Sequence, residues 1–263
     1  MDGNQMDNTV KELAGYIAGS QKLVIFTGAG VSTESGIPDF RSPGGVWEKF
    51  DPNEFTFQKF MGSEESRQKS WAMSKEFYKT LSEAEPNAAH LGIVELEQMG
   101  KLNCIITQNV DNLHQKAGNS PEKVIELHGT AVWVDCLKCG KRYARAVIQE
   151  WLDDGVEVPL CGDCGGILKQ ATISFGQSMP VEETAEAEKR SRRSDLFIVI
   201  GSSLVVQPAA LMPMFAKQGN SLLAIINMSE TPYDNKADII INGKAGEVFE
   251  QIMGEVRTLM SEA

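Results

Sequence analysis

Short apolar runs recur along the chain at 23–26, 104–106, 124–127, 196–200, 222–226 and 238–241, and they are continuous rather than alternating. A strand with one wet face alternates apolar and polar residues. A run such as Leu196-Phe197-Ile198-Val199-Ile200 has no polar side to offer water. Runs of this kind belong to strands covered on both faces, which points to a parallel sheet with helices above and below. Helical periodicity supplies the covers. Thr9-Val10-Lys11-Glu12 fits a capping box, and Val10, Leu13, Ala14, Ile17 and Ala18 follow at helical spacing. Further helices are expected near 87–99, 181–192 and 208–217. Ala245, Val248, Phe249, Ile252, Met253, Val256, Leu259 and Met260 make one last apolar stripe. The expected fold class is α/β, a Rossmann-like doubly wound parallel sheet.

Two stretches break the rhythm. Residues 47–85 scatter Trp47, Phe50, Phe55, Phe57, Phe60, Trp71, Phe77 and Tyr78 among charges with no strand pattern, and 133–171 holds four of the five cysteines. Both read as insertions over one end of the sheet. The expected division is a sheet domain of 1–46, 86–132 and 172–263, a helical insertion at 47–85 and a cysteine-bearing module at 133–171.

The cysteines form two CxxC pairs, Cys136/Cys139 and Cys161/Cys164, separated by 21 residues. Each pair offers two thiolates to one tetrahedral ion, and the spacing predicts a zinc site. Four thiolates fill the coordination sphere and leave no position for water, so the metal is structural. Cys104, inside an apolar run, reads as a small buried hydrophobe. Lys and Arg number 25 against 36 Asp and Glu, a net charge of -11, which argues against a phosphate-neutralising nucleic-acid surface and suits a basic partner. The polar, acidic N-terminus is not a signal peptide, and no apolar run approaches the ~20 residues needed to span a bilayer. A cytoplasmic protein without membrane or nucleic-acid binding is the expectation.

Polar segments gather where the apolar runs end, the rim at which open α/β sheets bind ligands. Thr27-Gly28-Ala29-Gly30-Val31-Ser32-Thr33 carries the start of a phosphate-binding turn, but Thr33 stands where the GxGxxG fingerprint has its third glycine. The segment is either such a turn or a tight strand-to-helix connection. Asp39-Phe40-Arg41 offers a ring and a guanidinium. Gln108-Asn109-Val110-Asp111 either holds the hydroxyls and amide of a nucleotide or caps the next helix. His128, beside a glycine after a strand, is the best candidate base among three histidines; His90 and His114 look helical and structural. Gly201-Ser202-Ser203 and Asn227-Met228 add hydroxyls and amides to the same rim.

The succession GAGVSTESGIPDFR, TQNVDNLH, ELHGT, CxxC…CxxC, GSSLVVQPA and INMSET, across residues 24–246, resembles the sirtuins, the NAD-dependent protein-lysine deacylases. That resemblance implies a Rossmann-type domain, a small zinc-ribbon domain, and a cleft between them where NAD meets an acyl-lysine peptide. It implies that Gly28, Ala29, Gly30 and Thr33 line the phosphates and ribose, and that Asp39, Phe40 and Arg41 flank the nicotinamide ribose and pyrophosphate. Gln108, Asn109, Val110 and Asp111 would form the nicotinamide pocket. Gly201, Ser202, Ser203, Asn227, Met228 and Ala245 would hold the adenosine half. His128 matches the catalytic histidine, with Asn109 as a second catalytic residue. Ile173, Phe175, Gly176 and Val206 would bind the peptide, and Cys136, Cys139, Cys161 and Cys164 the zinc. The implied products are nicotinamide, O-acyl-ADP-ribose and free lysine.

Two departures qualify the match. Lys169-Gln-Ala-Thr-Ile-Ser-Phe-Gly-Gln177 replaces the family's Arg-Pro-x-Val-Val-x-Phe-Gly-Glu, which puts side-chain preference around the lysine in doubt but leaves backbone pairing possible. Region 47–85 also lacks the Tyr-x-x-Arg pair of members that remove acidic acyl groups, so acetyl or another uncharged acyl group is expected. The competing readings are protein mono-ADP-ribosyltransfer, against which His128 argues, and a non-catalytic NAD-binding zinc module. A dehydrogenase is disfavoured because the resemblance offers no hydride acceptor site.

Overall fold

A computed structural model describes residues 3–262. In chain order its elements are α1 (Gly3–Gly19), β1 (Leu23–Thr27), α2 (Val46–Lys49), α3 (Phe57–Gly62), α4 (Glu64–Glu83), α5 (Ala88–Gln98), β2 (Leu102–Thr107), α6 (Leu113–Ala117) and β3 (Val124–Glu126). There follow β4 (Gly129–Cys136), β5 (Arg142–Ala144), α7 (Arg145–Asp153), β6 (Leu168–Thr172), α8 (Val181–Arg193), β7 (Leu196–Ile200), α9 (Met212–Gln218), β8 (Leu222–Asn227), β9 (Ile239–Asn242) and α10 (Ala245–Ser261).

All six apolar runs become strands of one parallel sheet, ordered β3-β2-β1-β7-β8-β9. Every residue of β1 and β7 is buried, as continuous apolar runs require. One face packs on α1, α5 and α10 through residues such as Leu13, Ile93 and Phe249. The other packs on α8 and α9 through Ala187, Met212 and Ala216. The chain winds outward from β1 through β2 to β3, then returns to start β7 on the other side of β1. That reversal opens a crevice above Thr27 and Ile200, at the carboxyl ends of the strands.

Two local expectations need correcting. Thr9 and Glu12 lie inside α1, which already runs from Gly3, because Met6 packs on the core and extends the apolar stripe upstream. The segment expected as a helix over 208–217 divides into a tight turn at Ala209–Leu211 and α9, where Pro213 is tolerated because first-turn N–H groups have no intrahelical partner.

A second, antiparallel sheet has the order β5-β4-β6. Its core comprises Val134, Cys136, Ile148, Leu152, Cys161 and Leu168, completed by Trp71 from α4. The cysteine-bearing stretch thus borrows a large side chain from the helical insertion. Among the described residues no helix is long and apolar enough to cross a membrane.

Candidate active site

Three glycines lock the floor of the crevice. Gly28 N–H donates to the Ile200 carbonyl at 3.1 Å and Gly30 N–H to the Gly201 carbonyl at 2.8 Å. A Cβ on Gly28 would stand 2.8 Å from that Gly201 oxygen, and one on Gly30 2.8 Å from the Gly201 Cα. Gly201 itself has φ +62, and its Cβ would lie 2.2 Å from the Val31 nitrogen. The turn after β1 and the turn after β7 therefore meet backbone to backbone. This contact substitutes for the missing third glycine of the fingerprint, and Thr33 spends its hydroxyl on the Gly30 carbonyl at 3.0 Å.

Amides and hydroxyls hold the next layer. Asn109 Nδ2 donates to the Gly28 carbonyl at 3.2 Å and to Ser32 Oγ at 3.1 Å, and Ser32 Oγ donates to Asp111 at 2.7 Å. Burial pushes the Asp111 carboxyl above its ordinary pKa, against the pull of hydrogen bonds from Leu113 N–H and Ser32. Gln108 Nε2 donates to Ser202 Oγ at 2.7 Å, which ties β2 to the β7 turn. Beneath them, Thr27 Oγ1 donates to Thr107 Oγ1 at 2.8 Å and meets His114 Nε2 at 3.0 Å. Thr107 Oγ1 in turn accepts the Asn109 N–H at 3.0 Å.

His128 follows β3. Its Nδ1 lies 3.0 Å from the Gln108 carbonyl. A carbonyl only accepts, so Nδ1 carries the proton of the neutral ring and Nε2 the lone pair. Burial lowers its pKa below the ordinary 6.5, partly opposed by the hydrogen bond to Gln108. The neutral, proton-accepting form prevails at pH 7.

A cavity of about 380 Å³ collects many of these groups. Ala29, Phe40, Arg41, Gln108, Asn109, Val110, Asp111 and His128 line it, with Ile173, Phe175, Gly176 and Val206 on another side. Gly28, Gly30, Thr33, Asp39, Gly201, Ser202, Ser203, Asn227, Met228 and Ala245 are not among its lining residues. Asp39 instead braces its own loop. Its carboxylate accepts the Arg41 and Ser42 N–H groups at 2.8 and 2.7 Å and so shapes the turn that presents Phe40 and Arg41. Met228 is 70% exposed, whereas Ala245 is buried at the start of α10, where Glu34 accepts the Gly246 N–H at 2.6 Å.

The segment after β6 is held on one side by the link that enters β4, where Ile173 N–H donates to the His128 carbonyl at 2.8 Å. Beyond that point the helical insertion takes over. Phe57 N–H donates to the Phe175 carbonyl at 2.8 Å and Gln58 Nε2 to the Gly176 carbonyl at 3.0 Å.

The four paired cysteines converge within 4.8 Å of one another at sulfur. Cys136 and Cys164 Sγ lie 3.5 Å apart and Cys139 and Cys161 Sγ 3.7 Å. Tetrahedral Zn–S bonds of ~2.3 Å require S···S separations of about 3.8 Å, so the residues present fit a zinc ion. Two matching knuckles build the site: Gly140 N–H donates to the Cys136 carbonyl at 2.9 Å and Gly165 N–H to the Cys161 carbonyl at 2.8 Å. Gly140 and Gly165 have φ +73 and +64.

Comparison with known proteins decides the family. The model of the Sir2 family matches residues 28–208, from the first glycine turn through the zinc knuckles to the β7 loop. The chain belongs to the Sir2 family. An NAD-dependent protein deacetylase of Rhodopseudomonas palustris is 42% identical over 249 residues, covering 95% of this chain and 98% of that protein. A solved Sir2 structure with a deacetylated peptide and 3′-O-acetyl ADP-ribose superposes with a TM-score of 0.86 at 36% identity, covering 94% of this chain and 98% of that one. Another, bound to a propionylated peptide, gives 0.85 at 36% identity and the same coverage.

In this Sir2 chain, sequence reasoning missed Ser32 and Thr107 as the scaffold beneath Asn109, whereas His114 is buried on α6 as the helical, structural histidine it was expected to be. Ser32 stood inside a hydroxyl-rich turn, which was a signal. The contacts that Thr107 and His114 make with Thr27 span 80 and 87 residues of sequence, which left no signal for them.

Proposed function

We propose that this protein removes acyl groups, most simply acetyl, from lysine side chains of proteins at the expense of NAD. The observation that carries the reading is His128: a neutral imidazole with its lone pair on Nε2, lining one cavity with Asn109, Asp111 and the Ile173–Gly176 segment. NAD, when bound, supplies an activated glycosyl carbon with nicotinamide as its leaving group. The chain's own residues do the rest. His128 takes a proton from a ribose hydroxyl, so that the oxygen attacks the acyl carbon. Gln108 to Asp111 orient the nicotinamide end, and the Gly28–Thr33 turn takes the phosphates. Gly201 to Ser203, Asn227, Met228 and Ala245 hold the adenosine half, outside the cavity. Ile173, Phe175, Gly176 and Val206 pair with an extended peptide.

Enclosure of the reacting groups keeps water from intercepting the sugar. The arrangement is read as a large domain of 1–46, 86–132 and 172–263, a helical insertion at 47–85 and a zinc ribbon at 133–171, in a protein of the reducing cytoplasm. Names of relatives and the peptide and ADP-ribose complexes of solved neighbours support the reading. Incubation with NAD and an acetyl-lysine peptide, followed by mass spectrometry, tests it. Nicotinamide, free lysine peptide and O-acetyl-ADP-ribose are expected. ADP-ribosylated peptide, or NAD left intact, would overturn it.

A further inference from the structure

The four sulfurs that fit a zinc ion do not share one environment. Cys136 and Cys161 are buried, 2% and 3% exposed, in the apolar cluster that also holds Val134, Ile148 and Trp71. Cys164 is half-buried, and Cys139 is exposed. A Cβ on Gly166 would stand 2.9 Å from Cys136 Sγ and 3.2 Å from Cys164 Sγ, so backbone covers those two sulfurs closely. A Cβ on Gly140, the neighbour of Cys139, would meet nothing within 4 Å. The edge of the site that faces solvent is the Cys139 edge.

Cys161 has a guard as well as a cover. Tyr143 Oη lies 3.2 Å from Cys161 Sγ and accepts the Gly162 N–H at 3.2 Å. With Gly162 on the oxygen, the hydroxyl proton is left for the sulfur, and a zinc-bound thiolate only accepts. The ring is fixed on two sides. Trp151 meets it edge to face with centroids 5.7 Å apart, and Lys141 Nζ, paired with Asp163 at 2.7 Å, stands 5.0 Å from its centroid. An O–H···S bond draws electron density from the sulfur and makes it a weaker nucleophile. Outer partners of this kind change metal affinity by about 10–100-fold. Among the described residues Tyr143 is the only side chain that offers an O–H or N–H to any of the four sulfurs; Cys139 Sγ, 3.7 Å from Cys161 Sγ, receives none.

We propose that Cys139 is the sulfur at which soft carbon electrophiles, the α,β-unsaturated carbonyl compounds, displace the zinc, while Tyr143 keeps Cys161 from competing. The Cys139 sulfur adds to the β-carbon, the π pair of the double bond passes to the α-carbon, and that carbon takes a proton from water. One S–C bond forms, one π bond breaks, and nothing is oxidised or reduced. The thiolate becomes a neutral thioether, so the metal loses one of its four anionic ligands and leaves. The effect reaches the cavity around His128, because Trp71 of α4 packs in the cluster of Cys136 and Cys161 and also lines that cavity. Turnover therefore falls with zinc content. This last consequence rests on the deacylase reading, whereas the position of the label and the loss of metal do not.

The test uses the full-length zinc-loaded protein and N-ethylmaleimide, with labels located by mass spectrometry and released zinc read by a chromogenic chelator. At substoichiometric reagent the first label is expected on Cys139, at least about tenfold ahead of the other cysteines, with zinc release proportional to maleimide concentration. A first label on any other cysteine, or even labelling of the four, would overturn the assignment. So would a release rate independent of maleimide, which means that the metal departs before the reagent acts. Cys139→His keeps four ligands and removes the open sulfur, so its zinc should resist maleimide at least about tenfold longer; release as fast as in wild type would contradict the proposal. Tyr143→Phe should pass zinc to the chelator at least about tenfold faster. It should also shift the thiolate-to-metal charge-transfer band of the cobalt-loaded protein, which a merely structural ring would leave in place. An unchanged rate and band would remove Tyr143 from the proposal. Full acetyl-peptide turnover after zinc loss would refute the link through Trp71. Selective labelling with zinc release, in a protein that consumes no NAD even before treatment, would keep the sulfur assignment and sink the deacylase reading instead.

Discussion

At the residue scale, one hydrogen bond decides what His128 can do. The Gln108 carbonyl fixes the proton on Nδ1, and burial keeps the ring neutral near pH 7. The base is therefore ready without a neighbouring carboxylate. Two outcomes follow for kcat/KM with an acetyl-peptide. His128→Ala should lose at least about a hundredfold, the usual worth of a positioned base, with zinc content and thermal unfolding unchanged. The wild-type profile should be flat through pH 7 and fall only on acidification, with a midpoint below 6.5 because protonation destroys the base. A midpoint above 6.5 would contradict the role given to burial. His90 gives a stability counterpart. Buried on α5, it closes a capping box with Asn87, and burial lowers its pKa to about 4. Below pH 6.5 the unfolded chain takes up a proton that folded His90 refuses, so stability falls with acidification by up to about 3 kcal/mol by pH 4 and is unaffected above 6.5. Urea unfolding of wild type and His90→Gln at pH 7.5 and 4.5 checks this: the variant, which keeps an acceptor for the cap, should lose less on acidification.

At the scale of elements, the two glycine turns matter more than the strands they follow. Gly201→Ala places a Cβ 2.2 Å from the Val31 nitrogen at a left-handed φ of +62, with only backbone to give way. We expect a loss of at least about 2 kcal/mol and failure to bind ADP-ribose. Gly254 provides the control, since its Cβ would meet nothing within 4 Å on the exposed face of α10. Gly254→Ala should stabilise by about 0.5–1 kcal/mol. Calorimetry separates the pair, and equal effects would refute the interlock. The strands themselves were legible in the sequence because doubly covered strands must be continuously apolar. The cysteine site was legible because CxxC spacing is set by the knuckle that binds metal. The beginning of α1 was not, since a Thr-x-x-Glu pattern is also ordinary helix surface. Nor was the loop-bracing part played by Asp39, one of whose carboxylate oxygens accepts two N–H groups of its own loop.

At the scale of the whole molecule, the helical insertion and the cysteine module act as one lobe. Arg145 of α7 lies over the rings of Trp71 and Tyr78, 5.9 and 4.8 Å from their centroids, and donates to Ser74 of α4, while Lys75 Nζ donates to the Leu152 carbonyl at 2.7 Å. Sequence periodicity could not show this, because the partners are about 70 residues apart and belong to patterns that look independent. Metal removal should therefore loosen more than the knuckles. Chelation is expected to expose 133–171 and the α4 segment together to proteolysis, while the six-stranded sheet stays protected. Cleavage confined to the knuckles would argue for two separate lobes.

The charge of -11 belongs to this scale too. A field of that sign accelerates the approach of a lysine-rich peptide and does nothing for the chemistry once the acyl group is seated. Raising ionic strength from ~0.02 to ~0.2 M shortens the screening length from about 20 to about 7 Å. KM for a basic acetyl-peptide should rise several-fold over that range with kcat constant, while KM for a neutral peptide of equal length stays level. Equal salt sensitivity of the two would mean that the acidic surface serves solubility alone, and that peptide choice is made entirely inside the cleft.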